Sequence, residues 1–295
     1  MGQLRVVKAT ALAIAQDRGR RGGQHLGLCQ SGAADAYSYH WANALLGNLK
    51  SAPVLEICLG AFEAEFCHAT EIALCGADMR AQLNGSPIKN WCSHRVKAGD
   101  YLRLNYPASG LRSYLAVLGG FLFNAALFSS IASVPREGLG FNGGAPISAG
   151  MCLPYAALGA NKNRWRRCLI DALIPNYAAD LQLDIYPAYQ WQAFDDVQRQ
   201  RFTHTTYTVS TESDRMGYRL DGQAVSYRGK QLISEGIALG AVQIPANGQP
   251  IVLLNDRQTI GGYPKIGCVT KASCSQLAQR RPGDKVFFNW RHFET

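Results

Sequence analysis

Residues 234–265 read SEGIALGAVQIPANGQPIVLLNDRQTIGGYPK, and their order decides how the rest of the chain is read. Pro250 to Leu254 is a short apolar run of buried-strand length. It ends in Asn255, Asp256, Arg257, Gln258 and Thr259, followed at once by Gly261, Gly262, Tyr263, Pro264 and Lys265. An apolar strand that delivers polar groups to a glycine corner is a common way to build a site, because glycine lets the backbone turn or approach a ligand. An ordinary β-turn with solvated charges has the same appearance, so the chemistry rests on the residue types.

Upstream, Thr205 to Thr211 is β-rich and runs into SDRMGYRLDG, residues 213–222, a second polar turn marked by glycine. Downstream, Pro282-Gly283 marks a turn before a closing strand within Arg281–Phe288. Leu4 to Ile14 opens the chain as a strand. Asp35 is placed to cap a helix that stops at Gly47. Short strands follow from Val54 to Leu104, with Asn84-Gly85 as a type I′ hairpin signal. Asp184–Pro187 reads as a strand and Tyr189–Arg199 as a short helix.

The two halves share an order of features. Asp17-Arg18-Gly19 corresponds to Asp214-Arg215-Met216-Gly217, and Glu56 before Gly60-Ala61 to Glu235 before Gly240-Ala241. Gly76-Ala77-Asp78 corresponds to Asn255-Asp256, and Lys97-Ala98-Gly99-Asp100 to Arg281-Pro282-Gly283-Asp284. This repetition predicts two related β-domains, with a boundary at the basic segment Asn161–Arg167, hence residues 1–160 and 161–295. Equivalent polar corners would then face a shared cleft.

Composition bounds the function classes. The chain has 295 residues, 47% apolar and 17% charged, which are globular values. A net charge of +9 is scattered, and its two dense groups, Arg18/Arg20/Arg21 and Lys162/Arg164/Arg166/Arg167, lack interleaved aromatic platforms apart from Trp165. That argues against nucleic acid as a partner. The uncharged run Ser113–Val134 is interrupted by Gly119, Gly120, Asn124 and serines, and reads as a buried strand entering a loop rather than a membrane span. Nine cysteines contain no Cys-x-x-Cys pair, and the six histidines show no metal-ligand spacing. With no signal peptide, the cysteines read as thiols of a cytoplasmic protein. Gly138, Gly140 and Gly143 form a G-x-G-x-x-G that follows Pro135 and two charges instead of a strand, so it is rejected as a dinucleotide fingerprint. The sequence contains no Walker A motif and no G-x-S-x-G elbow.

The strings at 213–222, 234–267 and 16–27 (QDRGRRGGQHLG) resemble the allophanate hydrolase subunit 2 family. Its members include a class of 5-oxoprolinase subunits, KipA and half of the urea carboxylase carboxyltransferase domain. GAADAYSYHWANALLGN, LEICLG and CGADMRAQLNGSPI extend the resemblance through the first half. In Phe121–Ser133 the chain keeps only Ser129, Ser130 and Ser133 of the usual Gly-Ser-Arg-Ser string. The resemblance implies a mainly β fold of two cyclophilin-like β-barrel domains with a few short helices. It implies a subunit that works with a KipI-like subunit-1 partner and a third subunit to convert 5-oxo-L-proline to L-glutamate with ATP. Two other roles go with it: a biotin-dependent carboxyltransferase acting on urea or another amide, and a KipA-like regulator that binds a KipI-like kinase inhibitor. ATP and biotin would come with the partners.

These activities share a small planar amide and a transferable anion, and need donors at developing oxyanions and a group that moves a proton. Arg215 and Arg257 suit a bidentate grip on carboxylate or phosphate, or else pair with Asp214 and Asp256. Asp256 is a base or an arginine-orienting group. Lys265 is an anion or carbonyl ligand, or a surface lysine. Gln243 and Gln258 can donate to and accept from an amide. Thr259, Gly261, Gly262, Tyr263 and Asp214 complete the substrate-binding set, with Asp17, Arg20 and Asp78 contributed by the first half.

Overall fold

The computed structural model describes residues 1–124, 127–156, 165–230 and 232–291. The chain forms two compact units: Met1–Arg20 with Ser31–Asn176, and Arg21–Gln30 with Tyr177–Thr295. The division between 176 and 177, and the early segment that belongs to the second unit, differ from the expected cut at 160/161. That cut, with Lys162 and Arg164, lies outside the described residues, as do Gln231 and His292.

The first unit encloses one core between two sheets. One sheet runs in the order Cys152–Tyr155, Gly2–Lys8, Phe62–Phe66, Tyr101–Leu104, Gln82–Leu83, Ser86–Pro87. The other runs Ala13–Gln16, Val54–Cys58, Ser109–Val117, Thr70–Asp78, Cys92–Val96. Alternation in Gly2–Lys8 and Phe62–Phe66 turns Leu4, Val6, Phe62, Ala64 and Phe66 inward. There they join Leu55, Ile57, Leu74, Leu115 and Val117 of the second sheet in one buried cluster. The helix Ala36–Leu46 lies on Thr70–Asp78 and Ser109–Val117. Its limits are the expected ones: Asp35 accepts the N–H of Tyr37 and Ser38, and Gly47 takes the left-handed conformation. Asn84 and Gly85 both have positive φ, as a type I′ hairpin between Gln82–Leu83 and Ser86–Pro87 requires.

In the second unit seven strands close into a barrel, in the order Leu181–Pro187, Lys265–Val269, Ala241–Gln243, Ile251–Leu253, Gly217–Asp221, Tyr207–Val209, Lys285–Trp290. The last strand closes it by parallel pairing with the first, Leu181 opposite Val286. The helix Asp196–His204 stacks Phe202 on Phe288 at 4.2 Å between ring centroids. This helix starts later than expected, because Trp191–Ala193 forms a separate 3-10 turn and Asp195 caps Gln198. The mainly β architecture therefore stands, with few helices, and the shared corner is visible in both units. Lys97 N–H bonds Asp100 Oδ2 at 2.7 Å and Arg281 N–H bonds Asp284 Oδ2 at 2.8 Å, with Gly99 and Gly283 both left-handed.

The cysteines are not all thiols: Cys92 and Cys168 form a disulfide. The backbone explains it, since Ser93 N–H bonds Arg167 O at 2.8 Å and Leu169 N–H bonds Trp91 O at 2.9 Å, placing the two cysteines opposite one another. That pairing removes the thiol argument for a reducing compartment. The apolar run after Ser113 is partly the strand Ser109–Val117, and no helix of the described residues is long and apolar enough to cross a membrane.

Candidate active site

The strand Ile251–Leu253 sits between Ala241–Gln243 and Gly217–Asp221 in the barrel. Its exit continues the ladder: Leu254 N–H bonds Met216 O at 2.8 Å and Asp256 N–H bonds Arg215 O at 2.9 Å. This brings the polar turns at 213–217 and 255–259 together. Arg215 forks onto Asp256, Nε to Oδ2 at 2.8 Å and Nη2 to Oδ1 at 3.0 Å. Asp214 stays exposed and accepts the N–H of Met216 at 2.7 Å, which closes a local turn. Arg215 and Asp256 thus spend their charges on each other.

Arg257 is buried, and its donors reach Ile237 O at 3.1 Å, Leu254 O at 3.1 Å and Gln30 Oε1 at 3.4 Å. Its guanidinium therefore bolts two stretches of backbone together; the sequence offered a grip on carboxylate or phosphate, or pairing with an acid. Among the described residues no carboxylate pairs with it. Burial pulls its pKa down, while the neighbouring thiols Cys274, Cys268 and Cys29 act the other way. Burial in turn raises Cys274 to about 12 and raises Cys268, against the nearby positive charge of Arg257.

Lys265 is also buried, contrary to the surface alternative. Its Nζ lies 2.6 Å from Glu235 Oε1 and 3.3 Å from Tyr263 O. Gln190 secures the pair, donating Nε2 to Glu235 Oε1 at 2.9 Å and accepting the Lys265 N–H at 3.3 Å. The Lys265 ammonium holds the Glu235 carboxyl below its ordinary pKa against the opposing effect of burial, with a smaller contribution from Gln190. A two-residue ladder, Glu235 opposite Gly261 and Gly236 opposite Ile260, folds the stretch back on itself and puts this pair beside the glycine corner.

At that corner Gln243 is almost fully buried, yet its Nε2 has no hydrogen-bond partner. A β-carbon on Gly261 would stand 3.1 Å from Gln243 Nε2, 3.6 Å from Gln258 Nε2 and 2.7 Å from Ile237 Cδ1. The absence of a side chain at Gly261 is therefore what lets two amide donors converge on one small volume. Gly262 lies by Ser234 Oγ and Leu232 O, at 3.6 and 3.4 Å from its would-be β-carbon. Thr259 contributes its carbonyl to the Ile237 N–H at 3.0 Å, and Tyr263 is exposed.

Asp17, Arg20 and Asp78 belong to the first unit. Asp17 accepts Gly19 N–H at 2.8 Å, Ser130 Oγ at 2.7 Å and Ile131 N–H at 2.8 Å, so its carboxylate organises a loop. Asp78 is exposed and accepts the Arg80 N–H at 2.9 Å. Arg20 is buried and donates Nη2 to Ala132 O. Sequence reasoning missed Gln190 and Gln30, which come from distant loops without a motif. Glu235 carries no signal in the sequence beyond its place in the repeat. Sequence reasoning also passed over a buried network in the first unit, in which Glu56 accepts from Tyr114 Oη and Ala34 N–H, both at 2.9 Å, beside Arg112 at 3.6 Å.

Residues 26–290 match the family described as carboxyltransferase domain, subdomain A and B. The chain is 35% identical to a 5-oxoprolinase subunit of Escherichia coli (strain K12), over 97% of this chain and 90% of that protein. It is 30% identical to a putative urea carboxylase of Emericella nidulans, over 96% of this chain but 24% of the relative. The crystal structure of TTHA0988 superposes with a TM-score of 0.86 at 30% identity, covering 98% of this chain and 56% of that one. A match across nearly the whole of both units, with a relative of almost equal extent, shows that the chain belongs to the carboxyltransferase domain family, subdomains A and B.

Proposed function

We propose that the chain is the carboxyltransferase-domain subunit of an ATP-dependent 5-oxoprolinase, which opens the lactam of 5-oxo-L-proline to L-glutamate together with partner subunits. The observation that carries this reading is the unpaired, buried Gln243 Nε2 beside Gly261 and Gln258. An amide carbonyl carbon attacked by water puts negative charge on its oxygen, and two preorganised amide donors stabilise that charge where it develops. Cleavage of the C–N bond then needs a proton on the departing nitrogen. Lys265, held in place by Glu235 and Gln190, supplies it and is recharged from water.

Resonance makes the lactam carbonyl a poor electrophile, and ATP supplies the driving force. The oxyanion formed by water takes the γ-phosphoryl group with release of ADP, the ring nitrogen leaves protonated, and a second water releases phosphate from the resulting acyl phosphate. The sequence contains no phosphate-binding loop, so this reading assigns the nucleotide to the partner subunits. A urea carboxylase relative supports a second reading, in which the same donors hold an amide while its nitrogen receives a carboxyl group from carboxybiotin. The test is ATP-dependent glutamate release from 5-oxoproline by this chain co-purified with its partner subunits. Release that requires this chain and falls on Gln243→Leu and on Lys265→Met supports the lactam reading. A stable complex that releases no glutamate, yet consumes carboxybiotin in the presence of urea, replaces it with the second.

A further inference from the structure

We propose that the first unit carries its own binding site, built from Arg20 and Gln16, for a compact ligand with an anionic oxygen next to an N–H donor. Both side chains are almost wholly buried, Arg20 at 1% and Gln16 at 0% exposure. Arg20 donates Nη2 to Ala132 O, and Gln16 donates Nε2 to Ser133 O at 2.9 Å. Each is thereby fastened by one end to adjacent peptides. Their remaining groups, Arg20 Nε and Nη1 and Gln16 Oε1, have no partner.

The other buried or half-buried arginines that hold partners show how unusual this is. Arg215 has Asp256, Arg112 has Glu56, and Arg257 spreads its donors over two carbonyls and Gln30. Arg280 reaches the carbonyls of Tyr177 and Ala179 through Nη1, and only its Nε is both buried and unpaired. Among the described residues Arg20 alone has two guanidinium nitrogens that are both buried and without a partner. Asp17, the acid nearest in sequence, is consumed by Gly19, Ser130 and Ile131. A buried cation without a counter-charge costs several kcal/mol, a cost that a bound anion removes.

The surrounding backbone is arranged around the same two peptides. Ser133 N–H bonds Ala15 O at 2.9 Å, and Phe141 N–H bonds Ile131 O at 2.8 Å. A β-carbon at Gly140 would fall 2.7 Å from Ser133 Cα and closer still to Ala132 O, and Gly140 has φ of 100°. The glycine-rich loop therefore lies directly on peptides 132–133 and contributes no side chain at Gly140. This gives the rejected G-x-G-x-x-G string a role as backbone cover.

The charges select the ligand. A guanidinium with free nitrogens takes a carboxylate oxygen, whereas Gln16 Oε1 repels one and needs a donor. A carboxylate next to an N–H satisfies both, and this is the chemistry of an α-carboxylated lactam. For the ligand's identity the inference rests on the lactam reading proposed above; urea has no carboxylate for Arg20.

The test is calorimetric titration of the full chain with 5-oxoproline, with 2-pyrrolidinone as the same lactam without its carboxylate, and with inorganic phosphate. Binding of 5-oxoproline is expected to exceed that of 2-pyrrolidinone by at least about tenfold and to fall about as far in Arg20→Gln. Because Arg20→Gln can lose the fold, Gln16→Glu is the second variant. It puts a carboxylate on the side chain next to the peptide that holds Arg20, so melting temperature should rise while 5-oxoproline binding is lost. Equal binding of both lactams, preference for phosphate, full binding by Gln16→Glu, or no binding to the folded chain overturns the proposal. Glutamate release by the assembled complex, together with full 5-oxoproline binding by Gln16→Glu, overturns it while leaving the function above intact. Binding by the chain with no release by the assembled complex does the reverse.

Discussion

Arg215 and Asp256 face each other through two parallel hydrogen bonds, 2.8 and 3.0 Å long, at the exit of the strand Ile251–Leu253. Both side chains are largely shielded, 14% and 7% exposed. Removing one partner leaves the other charge stranded. Asp256→Ala should therefore cost about 3 kcal/mol, whereas the double change Arg215→Leu/Asp256→Leu should cost clearly less than the sum of the single ones. Urea unfolding of the three variants measures both. If the pair is structural, the double variant retains turnover in the assembled complex.

The Glu235–Lys265 pair should make stability depend on acid. The folded carboxyl titrates below its unfolded value, so its contribution is complete above about pH 4.3 and disappears as pH falls through the lower folded pKa. Unfolding midpoints taken stepwise from neutral pH downward should show this loss. Glu235→Gln should flatten that part of the profile, and should shift the pH dependence of turnover if the pair handles a proton.

Gly261→Ala places a methyl group 2.7 Å from Ile237 Cδ1 and 3.1 Å from Gln243 Nε2. Overpacking of this kind costs about 1–3 kcal/mol. The larger effect should fall on kcat, by about a hundredfold, because it displaces the donor meant for the developing oxyanion. A variant that loses stability but keeps kcat would move the site away from this corner.

Reduction of Cys92–Cys168, or Cys168→Ser, opens a link between residues 76 positions apart. The expected loss is roughly 2–4 kcal/mol, read as a lower melting temperature with reductant than without it. The Cys168→Ser variant should show no further change on adding reductant.

What could be read from the sequence was local. The helix from Asp35 to Gly47 and the hairpin at Asn84-Gly85 carry their own capping and turn residues, so neighbours in sequence determine them. The strand before Asn255 was legible from its apolar run, and the recurrence of a Gly-Asp corner at 99–100 and 283–284 from direct comparison. Long-range partners were not. Arg215 had both Asp214 and Asp256 within reach on paper, and the backbone bond from Asp256 N–H to Arg215 O selects Asp256. Nothing near Lys265 in sequence announces Gln190, 75 residues away. Nine cysteines permit many pairings, and the one formed depends on Arg167 and Leu169 aligning with the strand Cys92–Val96. Burial is the other blind spot: Lys265 and Arg257 carry the same charges as surface residues, and only the barrel around them shows that they are enclosed.

The bond from Arg257 to Gln30 spans 227 residues, because Arg21–Gln30 belongs to the unit otherwise made of the last part of the chain. On the ribosome, that segment emerges long before the rest of the unit it belongs to, and the first unit has all its residues while the second still waits for its own. Cutting the gene after codon 176 would consequently give an N-terminal fragment that carries residues 21–30 without the rest of their unit, and a C-terminal fragment in which Arg257 lacks its Gln30 acceptor. Adding residues 21–30 as a separate peptide should then restore the second fragment in trans.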